Sequence, residues 1–164
     1  MLLGCMIVLA VSLSGCGKKQ ENVEEKQTEQ SEGPGNYFYE VENQKIYVSQ
    51  PIKEAVEILG DGYEYYEAPG CAGEGMDIFY YYPDLTIEAV ESEGEQEIKQ
   101  FYFKNDTVVT PEGLRIGSTY EETVAKYGDD FELNGNAMEY GDGNALFIVE
   151  LQDGKVSGIR YTTK

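Results

Sequence analysis

Three cysteines, Cys5, Cys16 and Cys71, are the most reactive side chains of this 164-residue sequence. A thiol can be acylated, can form a disulfide or can act as a nucleophile. Cys16 directly follows an uncharged apolar run, a setting that suits acylation. Cys71 lies among acidic residues, and these disfavour its thiolate. Cys71 is therefore interpreted as a small packing residue or an inert thiol, with a reactive or intermolecular cysteine as the alternative.

The sequence contains no histidine, which removes the commonest general base and the commonest metal ligand. Hydrolases with a histidine base and His-Glu-x-x-His zinc sites are excluded, and no phosphate-binding or dinucleotide-binding motif is present. Residues 128–144 are rich in Asp, Asn and Gly, but they lack the spacing of a calcium loop and are explained by turns. The sequence therefore predicts no catalytic residue, no cofactor and no metal site, and we expect no enzyme activity.

The 14 tyrosines are the most suggestive feature for binding. Tyrosine is favoured at protein interfaces because it combines apolar area with a polar tip, although it is also a good strand residue. If Ile78 and Ile98 point inward, strand alternation assigns Tyr81 and Phe101 to the solvent side. The candidate binding surface predicted from the sequence consists of Tyr80, Tyr81, Tyr82, Phe101 and Tyr102.

The formal net charge of the chain is −19. Such a surface repels phosphate backbones, so nucleic acid is not an expected partner. It attracts metal ions, polyamines and basic peptides, although acidity also simply keeps an exported domain soluble.

The segment Leu13-Ser14-Gly15-Cys16 resembles the lipobox of bacterial lipoproteins. In that family the signal peptide, here residues 1–15, is cleaved before the cysteine, whose thiol carries acyl chains such as palmitate. The resemblance implies that lipid on Cys16 holds the chain on the extracytoplasmic face of the cell membrane. The run lacks the basic residues that open a signal, as expected if the true start lies upstream of Met1. Residues 16–36 are interpreted as the lipidated cysteine and a flexible tether.

Two segments align without a gap at an offset of 68, residues 54–64 and residues 122–132. Fixed-offset similarity is typical of a duplicated unit. Apolar spacing predicts helices over 51–59 and 118–127, the second capped by Ser118 and Glu121. Alternation predicts strands over 63–67, 77–82, 85–90, 97–103, 131–133, 137–140, 144–151 and 156–161, with a hairpin turn at Asp153-Gly154.

The phrase "LRIGSTYEETVAKYG" is similar to the opening motif of tandem-repeat lipoprotein domains of the beta-lactamase-inhibitor-protein-like and SmpA/OmlA-like kind, and to clostridia-type Gram-positive lipoproteins that are mostly uncharacterised. The resemblance implies an α+β fold of two repeats, residues 37–110 and 111–164, each with one short helix packed on a three- or four-stranded meander. Such domains bind proteins as inhibitors or as assembly and scaffolding factors. The family motif consists of capping and turn residues, so it supplies no catalytic residue.

These observations predict a membrane-anchored, extracytoplasmic lipoprotein that binds a protein or an envelope component. The alternative is cation or small-ligand sensing through the acidic surface. A third hypothesis is a carbohydrate-active enzyme, since a glycosidase needs only two carboxylates.

Replacing Cys16 with Ala is expected to leave the protein unlipidated and absent from the mature membrane fraction, because the acylated thiol is then missing. Labelling cells with a fatty-acid analogue measures this, and Cys71→Ala is the matched control, which keeps both label and location. Equal label in Cys16→Ala and the parent chain would contradict the lipobox interpretation.

Overall fold

The computed structural model of the chain describes residues 36–70, 75–92 and 94–164. The signal segment, Cys16, the tether up to residue 35 and Cys71 lie outside these residues. The described elements are, in chain order, β1 Tyr39–Val41, β2 Gln44–Ile46, α1 Ile52–Leu59, β3 Glu64–Pro69, β4 Met76–Tyr81, β5 Leu85–Ser92, β6 Glu95–Phe103, α2 Tyr120–Tyr127, β7 Glu132–Asn134, β8 Ala137–Asp142, β9 Ala145–Gln152 and β10 Lys155–Thr163. Both helices and the eight strands β3 to β10 occur where the sequence predicts them, to within a few residues.

The two helices are short and begin differently. Pro51 precedes α1 without a side-chain cap, whereas Thr119 and Glu122 form a capping box on α2. The predicted cap is thus displaced by one residue from Ser118, because Thr119 adopts the extended conformation that a cap needs. Each helix ends at a glycine with positive φ, Gly60 and Gly128, as expected of a residue without Cβ. The helices therefore have built-in stops before the strands that follow.

Eight strands form one antiparallel sheet in the order β3-β4-β5-β6-β10-β9-β8-β7. Its two halves meet where β6 pairs with β10, and in this seam Tyr102, Phe101 and Gln100 lie opposite Arg160, Tyr161 and Thr162. The predicted α+β fold of two separate helix-plus-sheet repeats is therefore wrong. The described part of the chain is mostly β, with ten strands and two eight-residue helices. β1 and β2 form a separate hairpin.

The sheet is continuous for a physical reason. β6 and β10 each contain nine residues, and each would end a separate meander with a long edge of unpaired backbone groups. Three residue pairs join the two edges, and the segments that precede the helices bond to other parts of them: Ile98 of β6 pairs with Ser49 and Gln50, and Val156 of β10 pairs with Gly117 and Ser118. In the described residues β3 and β7 are then the two outer strands of the sheet.

One face of the sheet carries a core rich in aromatic rings. Phe101 stacks on Tyr161 with 4.8 Å between ring centroids, and Tyr161 lies 4.9 Å from Phe147. Phe147 also contacts Tyr127 of α2 at 4.4 Å and Tyr37 at 5.4 Å. Residues of both helices, of the β1-β2 hairpin and of the segment between β6 and α2 belong to the same apolar cluster. These elements therefore all cover this one face of the sheet.

Both helices turn an apolar stripe to the core, where Ile52 of α1 is buried and Tyr127 of α2 packs against it. Ala55 of α1 and Thr123 of α2 are fully buried, while Val56 and Val124 are only half-buried against the core. The small Ala and Thr let the short helices approach the sheet closely.

We expect Phe101→Ala to lower the free energy of unfolding by about 3–5 kcal/mol, because it removes a fully buried ring from the middle of the core. The adjacent Tyr102→Ser is the control and is expected to cost about 1 kcal/mol, since Tyr102 points to the other face and is half-buried. Denaturant unfolding followed by circular dichroism measures both. Similar losses in the two variants would show that the core does not centre on Phe101.

The pH dependence of stability follows from buried tyrosines, because burial raises the pKa of Tyr127 and Tyr161 as well as that of Tyr82 and Tyr140. Burial raises the pKa of Tyr82 and that of Tyr140 from 10.0 to about 12 each, and their hydroxyls donate to the carbonyls of Gly60 and Gly128 at 3.1 Å. A raised pKa favours the neutral form in the folded state, so this stability is complete below pH 10 and is lost as the pH rises towards about 12. Tyrosinate absorbance and circular dichroism should therefore change together in this range. In the Tyr82→Phe, Tyr140→Phe double variant the joint change in absorbance and circular dichroism should occur at higher pH. If all tyrosines of the parent chain ionised near pH 10 without unfolding, the raised pKa values would be contradicted.

Candidate binding surface

The described helices and the β1-β2 hairpin pack on the core face of the sheet, so the opposite face is formed by the side chains of the strands, of which Thr86, Glu88 and Ile148 are 1%, 7% and 4% exposed. Strand register aligns its side chains into two rows that run across the sheet. We call this surface the open face; its rows are Glu64, Tyr81, Thr86, Tyr102, Arg160, Ile148 and Glu139 in one, and Tyr66, Phe79, Glu88, Gln100, Thr162, Leu146 and Gly141 in the other.

Four aromatic side chains, Tyr66, Phe79, Tyr81 and Tyr102, form what we call the aromatic strip. The rings of Phe79 and Tyr81 are nearly parallel, 5° apart, with centroids separated by 5.8 Å. Tyr66 lies 6.3 Å from Phe79 and is 54% exposed. The other three are half-buried. Aromatic rings placed outward in this way offer apolar area that a partner can cover.

An ion pair between the buried Glu88 and the partly exposed Lys99 lies beside the aromatic strip. Glu88 is only 7% exposed although it belongs to the open face. Its carboxylate accepts a hydrogen bond from Lys99 Nζ at 2.6 Å and another from the Gln100 amide. Lys99 is the extra residue of a β-bulge, since Ala89 pairs with Ile98 while Glu88 pairs with Gln100. Both donors compensate for burying the carboxylate, which would be costly alone.

Arg160 occupies the middle of the open face, between Tyr102 and Ile148 on the neighbouring strands. Its Nε is buried and has no hydrogen-bond partner among the described residues. Its Nη2 lies 3.9 Å from the Glu150 carboxylate, which is too long for a strong hydrogen bond. Gly158 leaves room for this carboxylate, because a Cβ there would lie 2.9 Å from Glu150 Oε2. The guanidinium thus has donor capacity that the described residues do not use.

The structure places some of the residues predicted for binding on the open face and the others in the core. Tyr81 and Tyr102 lie on the open face, as alternation from the buried Ile78 requires for Tyr81. Tyr80 and Tyr82 are buried in the core, 8% and 6% exposed, and the Tyr80 hydroxyl donates to Gln96. They are corrected to core residues.

Phe101 is a second correction, because the solvent-facing position expected for it is wrong. It is completely buried. The bulge at Lys99 adds one residue between Ile98 and Phe101 and so brings both onto the same face.

The predicted surface leaves out three residues of the open face, Tyr66, Phe79 and Arg160, although alternation places Phe79 on the same face as Tyr81. Strand pairing brings Tyr66 next to Phe79 and Arg160 next to Tyr102. The sequence around Tyr66 and Arg160 does not indicate which strands they pair with.

A cavity of about 360 Å³ lies at the β7-β8-β9 end of the sheet. Its lining includes Asp130, Glu132, Glu139, Leu146 and Lys164. The described residues contain no group of three or more His, Cys, Asp or Glu side chains placed to hold a metal ion. None of the described helices is long and apolar enough to cross a lipid bilayer.

Comparisons with known proteins leave the family of the chain open. No family model matches the chain, and no curated protein does. A solved structure of an extracellular protein containing an SCP domain, from Bacillus anthracis str. Ames, is similar at 14% identity with a TM-score of 0.38. The match covers 71% of this chain and 44% of that protein, so this chain spans less than half its length. Such a distant likeness supports no conclusion about fold or function, and the resemblance to tandem-repeat lipoproteins stays a prediction.

Proposed function

We propose that this chain is a membrane-anchored, extracytoplasmic binding module that holds another protein or an envelope component on its open face. The supporting observation is the aromatic strip. Tyr66, Phe79, Tyr81 and Tyr102 turn away from the core, where so many rings are packed. Tyr66, Phe79 and Tyr81 contact one another on β3 and β4, and Tyr102 of β6 lies across Thr86 of β5. Soluble chains rarely turn aromatic area outward unless a partner covers it. Anchoring through Cys16 is the part of the proposal that rests on sequence alone.

The open face is a rigid surface, and this rigidity favours binding. The aromatic strip spans strands β3, β4 and β6, all held in one hydrogen-bonded sheet. Side chains on a sheet are fixed in position at little entropic cost when a partner arrives. Neighbouring side chains also hold the half-buried rings in place. Such rings at the centre of an interface often contribute most of the binding free energy.

Cation or small-ligand binding is the second candidate function. The acidic cavity near Glu132 and Glu139 favours it, because carboxylates attract cations. Substitution separates the two functions: Asp130→Asn with Glu132→Gln weakens cation binding in the cavity, whereas Tyr81→Ser weakens binding on the open face.

Tyr81→Ser is expected to reduce recovery of the partner at least tenfold, about 1.4 kcal/mol, because a ring in the middle of the interface is lost. The experiment uses tagged full-length protein as bait in a pull-down from native envelopes. Tyr120→Ser is the matched control, since Tyr120 is 39% exposed but belongs to α2.

Thermal melting must first show that both variants are as stable as the parent chain. Unchanged recovery with Tyr81→Ser at unchanged stability would remove the open face from the binding site. Equal losses in both variants would show that the bait binds through exposed tyrosines in general.

A further inference from the structure

The charges of the open face are unbalanced. Lys99 is already paired with Glu88, and Arg160 is nearest to Glu150. Glu64 and Glu139, at opposite ends of one row, take part in none of the ion pairs between described residues. Glu64 therefore borders the aromatic strip with a carboxylate outside these ion pairs. Glu139 lies three strands beyond Tyr102, where it accepts a hydrogen bond from Asn134 at 3.0 Å and lines the same cavity as Lys164.

Anionic occupants are disfavoured by this arrangement. The net charge of the whole chain, −19, has the same sign as the excess on the open face. Acidic lipid headgroups, nucleic acids and acidic glycans are therefore repelled both at long range and on contact.

The rings of the aromatic strip also favour a cationic side chain, in addition to the attraction by carboxylates. Lysine and arginine carry apolar stems that pack on rings, and their charged ends are attracted to ring faces. The chain shows this contact elsewhere, where Lys45 Nζ lies 3.9 Å from the centroid of the Phe38 ring.

Arg160 adds a different requirement. Its side chain is 38% exposed and its Nη2 lies 3.9 Å from the Glu150 carboxylate, so the guanidinium can donate to a hydrogen-bond acceptor that an occupant brings to the middle of the open face. A polypeptide has a carbonyl acceptor at every residue, whereas a polyamine has only donors when charged. A polypeptide with basic side chains meets both requirements.

We infer that the open face binds a lysine- or arginine-bearing segment of a partner polypeptide. Its basic side chains pair with Glu64 and Glu139 and pack on the aromatic strip, and its backbone accepts from Arg160. This inference rests on the proposed function and specifies the chemistry of the partner.

The test measures the affinity of the full-length protein in detergent for three probes: oligolysine, oligoglutamate of equal length, and spermine. The Glu64→Gln, Glu139→Gln double variant is expected to weaken oligolysine binding about threefold to tenfold, as for two exposed charge pairs. The matched control, Glu54→Gln with Glu121→Gln, removes the same charge from exposed positions on the helices and is expected to change affinity less than about twofold. Added salt should weaken binding further.

Arg160→Lys is the second arm, since it keeps the charge but removes the guanidinium and its several donors. Oligolysine should lose roughly twofold to tenfold in affinity, the effect of one hydrogen bond, while spermine is unaffected. Thermal melting confirms that every variant is folded.

Three outcomes would overturn the inference. If both double variants lose the same affinity for oligolysine, the attraction is diffuse. If spermine binding depends on Glu64, Glu139 and Arg160 in the same way, the ligand is a small polycation. If the protein binds oligoglutamate more tightly than oligolysine, the partner is acidic. The pull-down with Tyr81→Ser is independent of these results. A partner that depends on Tyr81 but carries no basic segment would preserve the proposed function and reject this inference.

Discussion

The antiparallel pairing of β6 with β10 is the interaction on which the rest of the structure depends. Only three residue pairs form it, but it joins two runs of four strands into one sheet. Below it, Phe101, Tyr161 and Phe147 form a continuous stack of rings. Above it, Tyr102 and Arg160 become neighbours. The core and the open face are therefore two consequences of the same backbone hydrogen bonds.

Two β-bulges decide which side chains each face receives. The bulge at Lys99 keeps both Ile98 and Phe101 in the core and brings the lysine to Glu88. A second irregularity lies in β10 between Val156 and Gly158, next to the place that the Glu150 carboxylate occupies. Bulges are common near functional sites because they redirect side chains without ending a strand. Here they place the two basic residues of the open face against carboxylates.

Local structure was predictable because it is encoded locally. Alternation identified the strands, apolar spacing identified the helices, and Asp153-Gly154 makes the expected turn with positive φ at both residues. The partner of each sheet edge was not predictable, since β6 and β10 carry no local signal that they pair. The inward position of Phe101 was hidden for a related reason, because alternation assumes a strand without a bulge. At the binding surface, Tyr81 followed from its own strand, whereas Arg160 required the register of the whole sheet.

The seam also has a consequence for folding kinetics. Every other pairing in the large sheet joins strands that are consecutive in the chain and form with small loop-closure entropy. Tyr102 and Arg160 are far apart in sequence, so their pairing must wait until both halves are partly formed. Until then Phe101 and Tyr161 are exposed at unpaired strand edges, the state in which β-rich chains aggregate. The chain is thus most prone to aggregation before β6 pairs with β10.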